Sequence, residues 1–280
     1  MSMNVRSQKD TPPQSRAYVT DVRSLHLDAP TFRMLLELQG PSLGLWRAAE
    51  IAVLREQVYE QPVLDLGCGD GLVTSYVLSK VEVGLDPDEK VLAQAAERGI
   101  YERFEAIPAE ELPLPDESMG TIVSNSVLEH LLKIDAVLEQ VARVLRPGGR
   151  LLFTVPTEAF STWLFLPSRR YAAWRNRQLA HRNLWSVERW VYHLRRVGLE
   201  VEMVRPYLRR ELVYTWDALE LLQQIWICRR RLVSIIWRHL PPSALDWLAL
   251  RASRLDLSSS TVGGGRLILA RKRCVVLMYV

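Results

Sequence analysis

The stretch Val63-Leu64-Asp65-Leu66-Gly67-Cys68-Gly69-Asp70-Gly71 constrains this chain more than any other. A short apolar run reads as a buried strand. Glycines at alternate positions after it give a tight turn whose backbone can approach a ligand closely as the next helix opens. The spacing is G-x-G-x-G rather than the G-x-G-x-x-G of a dinucleotide site. An acid, Asp65, stands two residues before the first glycine, badly placed beside a pyrophosphate but well placed beside an ammonium group. The next apolar strand, Val81–Leu85, ends at Asp86, where a carboxylate can accept both hydroxyls of a ribose.

An acid for an amine, glycines for close approach and an acid for a ribose together describe an amino-acid–nucleoside conjugate. S-adenosylmethionine is such a molecule. A tight strand–helix turn without a ligand is the competing reading of the loop.

The surrounding pattern alternates short apolar runs with amphipathic segments. Strands are expected at Val63–Leu66, Val81–Leu85, Tyr101–Ile107, Gly120–Ser124, Arg150–Val155, Leu199–Val204 and Arg266–Ala270. Helices are expected at Leu72–Ser79, Asp88–Arg98, Asp135–Leu145 and Ser186–Val197, the last with Ser186 as its cap. This rhythm predicts an α/β fold with a parallel sheet and helices on both faces. We divide the 280 residues into a disordered tail (1–20), an N-terminal helical lid (21–60), a core (61–207), an amphipathic helical insert (208–257), and a last strand with an apolar tail (258–280). The lid breaks at Gly40-Pro41.

At this point the chain resembles a known family, the class I S-adenosylmethionine-dependent methyltransferases of the type 11 group. Four blocks carry the resemblance in order: the glycine loop, Leu112-Pro113-Leu114-Pro115-Asp116, Ser124-Asn125-Ser126-Val127-Leu128-Glu129-His130, and Leu145-Arg146-Pro147-Gly148-Gly149-Arg150. It implies a Rossmann-like sheet of seven strands with the last antiparallel, S-adenosyl-L-methionine as cofactor, and methyl transfer as the activity. By the same resemblance Asp65 would contact the methionyl amino group, and Gly67, Cys68, Gly69 and Gly71 would form the loop under the cofactor. Asp86 would hold the ribose, with Pro87, Ala109 and Glu110 near the adenine. Asn125 and Ser126 would line the site. Where many relatives carry an acid for the adenine amino group, this chain has Pro108.

His130 has two readings, a general base facing the acceptor or a helix-start histidine that packs locally. A related ubiquinone-pathway group holds a divalent metal with acids and a histidine hereabouts; the first acidic position is Ser126 here, and no metal is expected. His181 and Asn183 precede the Ser186 helix, where such folds present loops to the acceptor, and are candidate substrate contacts; capping of that helix is the alternative. Trp46 and Arg47 lie on the lid helix.

Charge is uneven along the chain. Residues 1–156 hold 15 Lys and Arg against 23 Asp and Glu; residues 157–273 hold 21 against 9 and eight of the nine tryptophans. A basic half raises nucleic acid as a partner. Two features count against it: the arginines are interleaved with Leu and Trp, and there is no Asp/Asn-Pro-Pro-aromatic or Pro-Cys motif. Within 208–257, Leu212, Trp216, Leu219, Leu222, Ile225 and Trp226 share one helical stripe, followed by Arg229-Arg230-Arg231. Such a segment suits a membrane interface or an ordinary helical cap equally. Three scattered cysteines argue against a disulfide framework or a zinc site. With no long apolar run and no leader, the expectation is a cytoplasmic protein, peripheral to a membrane at most, acting on a small or lipid-linked acceptor.

Overall fold

The computed structural model describes residues 18–227, 230–231 and 239–274. The first helix, α1 (Ala29–Arg55), starts where Asp28 accepts the Thr31 amide at 3.0 Å and Pro30 occupies the first turn. It bends at Gly40, whose φ of +78° is one that glycine adopts at low cost, followed by Pro41. Beyond the bend Leu45, Trp46, Ala49, Val53 and Leu54 are buried.

The core alternates strand and helix: β2 (Val63–Leu66), α2 (Leu72–Ser75), β3 (Val81–Leu85), α3 (Glu89–Ala96), β4 (Tyr101–Glu105), β5 (Met119–Asn125), α4 (Ile134–Val144) and β6 (Leu145–Pro156). Then follow α5 (Arg169–Gln178), α6 (Val187–Arg196) and β7 (Leu199–Tyr207), with β10 (Gly265–Lys272) last. All four residues of β2 are buried, as expected of a strand covered on both faces. With β1 (Val19–Thr20), the strands form one sheet in the order β1-β7-β10-β6-β5-β2-β3-β4. Strand β10 runs antiparallel to both β6 and β7, and the other pairings are parallel. The chain leaves β2 toward β3 and β4, then returns to its other side at β5. A crevice therefore opens at the carboxyl ends of β2 and β5.

Four expectations need correction. The sheet has eight strands, because Val19–Thr20, assigned to the tail, pairs with Met203 and Val204 on the open edge of β7. The helix expected at Leu72–Ser79 is a single turn ending at Ser75; the Tyr76 and Val77 amides reach carbonyls only three residues back, so the turn tightens and stops. The insert is not helical throughout: α7 (Arg210–Gln223) and α8 (Pro242–Ala252) flank a short pair, β8 (Trp226–Ile227) and β9 (Arg230–Arg231). The proposed stripe is also divided. Leu212 and Trp216 are buried against α1, whereas Leu222 and Ile225 are exposed. Arg229 and the tail beyond Cys274 lie outside the described residues. No helix among the described residues is long and apolar enough to cross a membrane.

Candidate functional site

The crevice holds a cavity of about 730 Å³. Asp65, Gly67, Cys68, Gly69, Asp86, Pro87, Ala109, Glu110, Asn125, Ser126 and His130, each singled out in the sequence, all lie on its wall. So does Pro108.

Asp65, at the end of β2, is 1% exposed and accepts the Tyr101 hydroxyl at 2.7 Å. Burial pushes its carboxyl up to about 6, against the hydrogen bonds from Thr74 and Tyr101 that favour the charge. A buried carboxylate so little compensated calls for a cation. The loop amides of Gly67 and Cys68 donate to the Leu85 carbonyl at 2.7 and 2.9 Å, clamping the turn to β3. The Gly69 amide donates to Asp86 Oδ2 at 3.1 Å and the Asp88 amide to its Oδ1 at 3.0 Å. Both carboxylate oxygens are thus oriented while lone pairs stay free for hydroxyl donors. Glu110 lies under its own backbone amide and 3.2 Å from Lys133 Nζ, and both hold its carboxyl below the usual range. Burial pushes the Cys68 thiol up, the opposite of what a nucleophile needs.

Two of the expected contacts fall elsewhere. Gly71 is off the cavity wall, because a Cβ there would meet the Tyr101 ring at 2.8 Å; its role is to let that tyrosine reach Asp65. Asn183 is buried and lines neither this cavity nor the next. Its amide nitrogen donates to the Leu128 and Leu131 carbonyls at 2.8 Å each, tying the 180s loop to the segment after β5.

A second cavity, of about 350 Å³, shares Arg47, Ser126 and His130 with the first. Trp46, Phe160, Trp216, His181 and Glu129 are among its other walls. The His130 Nδ1 lies 3.2 Å from the Ala180 carbonyl; a carbonyl only accepts, so the proton sits on Nδ1 and Nε2 keeps its lone pair. Burial lowers both imidazoles, His181 to about 4. His130 stacks on His181 with centroids 5.7 Å apart.

The sequence reading passed over Glu50. It is fully buried on α1 and accepts from Trp46 Nε1 (2.9 Å), Arg47 (2.8 Å), Asn125 Nδ2 (2.9 Å) and the Ser126 hydroxyl. It is what joins the first helix to the end of β5. Ser126 itself has φ +53°, a strained position for a side-chain-bearing residue and one often found at functional sites. Glu50 had a signal: an acid on the same helical face as Trp46 and Val53.

Residues 64–153 match the family described as "Methyltransferase domain". Over that span, about a third of the chain, it is similar to S-adenosylmethionine-dependent methyltransferases. A ubiquinone biosynthesis O-methyltransferase of Agrobacterium fabrum is 37% identical over 93 residues, 31% of this chain and 37% of that protein. The 27-O-demethylrifamycin SV methyltransferase of Amycolatopsis mediterranei is 32% identical over 157 residues, 50% of this chain and 54% of that one. The matches therefore span about a third to a half of these relatives' lengths. A solved methyltransferase from Thermotoga maritima has the same fold, with a TM-score of 0.54 at 17% identity over 86% of this chain and all of that one. The cofactor of this domain is S-adenosylmethionine, and the walls suit it. Asp65 supplies an uncompensated acid for the ammonium and Asp86 oriented oxygens for the ribose. A Cβ on Gly69 would have nothing within 4 Å, so the loop leaves open space where a ligand can lie. No cluster suited to a metal ion is present among the described residues.

Proposed function

We propose that the protein transfers a methyl group from S-adenosylmethionine to a small or lipid-linked acceptor, working at the surface of a membrane. The observation that carries the reading is one cavity walled by Asp65, Asp86 and the glycine loop, opening beside a second cavity across Arg47, Ser126 and His130. S-adenosylmethionine, when bound, supplies a methyl carbon made electrophilic by its sulfonium sulfur. The chain's own residues position and exclude water. Asp65 would pair with the ammonium and Asp86 would accept from the ribose hydroxyls. Glu50 holds Arg47 and Ser126, which border both cavities, by hydrogen bonds. Such positioning supplies much of the rate in a transfer of this kind. His130, neutral and with Nε2 free to accept, is the group suited to take a proton from an acceptor.

Membrane attachment is supported by exposed Leu222, Ile225, Trp247 and Leu250 on the insert, with the Arg251 guanidinium 5.3 Å from the Trp247 ring. Relatives named for ubiquinone biosynthesis and for 27-O-demethylrifamycin SV support a small-molecule acceptor.

The decisive experiment is calorimetric titration with S-adenosylmethionine and S-adenosylhomocysteine, with NAD as control, followed by flotation with anionic and neutral vesicles. Saturable binding of the sulfur ligands alone is expected. Their failure to bind a folded protein would leave the loop as a bare scaffold, since fold does not by itself give function. Recovery of the protein away from anionic vesicles would remove the membrane part, and salt-sensitive binding to RNA would replace it.

A further inference from the structure

We propose that the second cavity is the acceptor site and takes an uncharged, flat-ringed molecule bearing a hydroxyl, which Glu129 holds. The inference rests on the methyltransferase reading and adds the substrate class to it.

The shape comes first. Three aromatic side chains pack on one another as one wall of this cavity: Trp46 lies 5.9 Å from Phe160 and 5.2 Å from Trp216, and Phe160 lies 5.5 Å from Trp216. Leu43, Pro156 and Leu179 complete an apolar wall. A contiguous aromatic wall of this kind offers a surface against which a planar ring can lie. Because Arg47, Ser126 and His130 border both cavities, a ring held here presents one edge toward the cofactor cavity.

Charge then narrows the class. Arg47 is the one guanidinium on the wall among the described residues, and it is paired with Glu50 at 2.8 Å, so an anion would meet no free partner. A cation is disfavoured from the other side. The Arg175 guanidinium already sits 5.2 Å from the Trp216 ring, using the electron-rich face that an ammonium would seek. Both histidines are held neutral by burial.

A buried carboxyl on this wall also has an unpartnered oxygen. Glu129 is 1% exposed, and its Oε2 has no hydrogen-bond partner among the described residues; Oε1 lies 3.6 Å from His130 Nε2. Burial, reinforced by the Glu50 charge and offset by Arg47 and Ser126, pushes this carboxyl up to about 8. Around neutral pH it is mainly a neutral acid, able both to donate and to accept. A hydroxyl is the complementary group, since it does both as well. A buried polar group left unpaired until a ligand arrives is also how a site comes to reject analogues lacking the matching group.

The test is calorimetric titration of the full chain with four probes: 2-naphthol, naphthalene, 2-naphthoate and 2-naphthylmethylammonium. S-adenosylhomocysteine is titrated in parallel. We expect 2-naphthol to bind at least about tenfold more tightly than the other three. Glu129→Leu should lower 2-naphthol to the level of naphthalene while leaving naphthalene unchanged. Glu129→Gln, which keeps a donor and an acceptor, should retain most of the preference. The inference is overturned if a charged probe binds as tightly as the naphthol, if the naphthol does not bind, or if Glu129→Leu leaves the preference intact. Should Glu129→Leu not fold, the wild-type ranking and Glu129→Gln decide. Loss of S-adenosylhomocysteine binding alone would sink the methyltransferase reading, leaving the cavity's preference standing.

Discussion

Replacing Glu129 by Gln should make the folded protein more stable in alkali, and the size of the effect follows from burial. The carboxyl titrates at its ordinary value of 4.5 in the unfolded chain and at about 8 in the folded one. Between those values the native state holds a proton that the unfolded state has lost. Its contribution is therefore fully present below about pH 4.5 and is lost as pH rises through about 8. At 1.36 kcal/mol for each pH unit, the loss is about 5 kcal/mol by pH 9 and about 3 kcal/mol at pH 7. Glutamine has nearly the same shape and no charge to desolvate, so it removes this slope. Asp65, also raised to about 6, tilts the wild type in the same direction below that pH. The comparison of variant with wild type cancels its share. Urea denaturation at about pH 5, 7 and 9 measures the difference, with the m-value confirming that both proteins unfold alike. The stability gap should open with pH. Parallel curves for the two proteins would mean that Glu129 is ionised in the native state at an ordinary pKa, and the reasoning about its surroundings would be wrong.

Two substitutions in the glycine loop should separate folding from binding. Gly67→Ala puts a methyl 2.5 Å from Val127 Cγ2 at φ +75° and should cost about 3 kcal/mol of stability, seen as a lower Tm. Gly69→Ala meets nothing within 4 Å, so it should cost only about 1 kcal/mol while weakening S-adenosylhomocysteine at least about tenfold; the reverse order of effects would refute the assignment. Asp217→Ala should destabilise by about 3 kcal/mol in chemical denaturation, because the Arg175 guanidinium, 2% exposed, loses its partner at 3.0 Å and keeps Glu220 at 3.6 Å and Gln178 at 3.1 Å.

The parts of this molecule legible in the sequence are those governed by local pattern. The strand before the glycine loop, the acid ending β3 and the cap at Ser186 are each set by residues within a turn or two of one another, and all stand where the pattern put them. What escaped depends on partners distant in the chain. Val19–Thr20 is a strand because β7 leaves an edge open, a fact that no window around residue 19 contains. Asn183 is a candidate substrate contact in the sequence because it precedes the Ser186 helix, where such folds present loops to the acceptor; its amide is taken by two carbonyls more than fifty residues earlier. Glu50 was readable in principle, as an acid on an apolar helical face, but its purpose depends on Asn125 and Ser126 arriving from β5.

The same division explains why the family is plain while the acceptor is not written in the match. Residues 64–153 supply most of the cofactor cavity: the loop, Asp86, Pro108 to Glu110, and the segment from Asn125. The second cavity borrows only Ser126, Glu129 and His130 from that span. Its aromatic wall comes from α1 through Trp46, from the segment after β6 through Phe160, and from α7 through Trp216, with His181 from the loop before α6. Each lies outside the match. Every relative must bind the same sulfonium, so that half of the site repeats from protein to protein. The other half is built by the first helix, the segments around Phe160 and His181, and the insert, where sequence is free to vary outside the match. Specificity in this protein should therefore move with Trp46, Phe160 and Trp216, and cofactor affinity should stay with Asp65, Gly69 and Asp86.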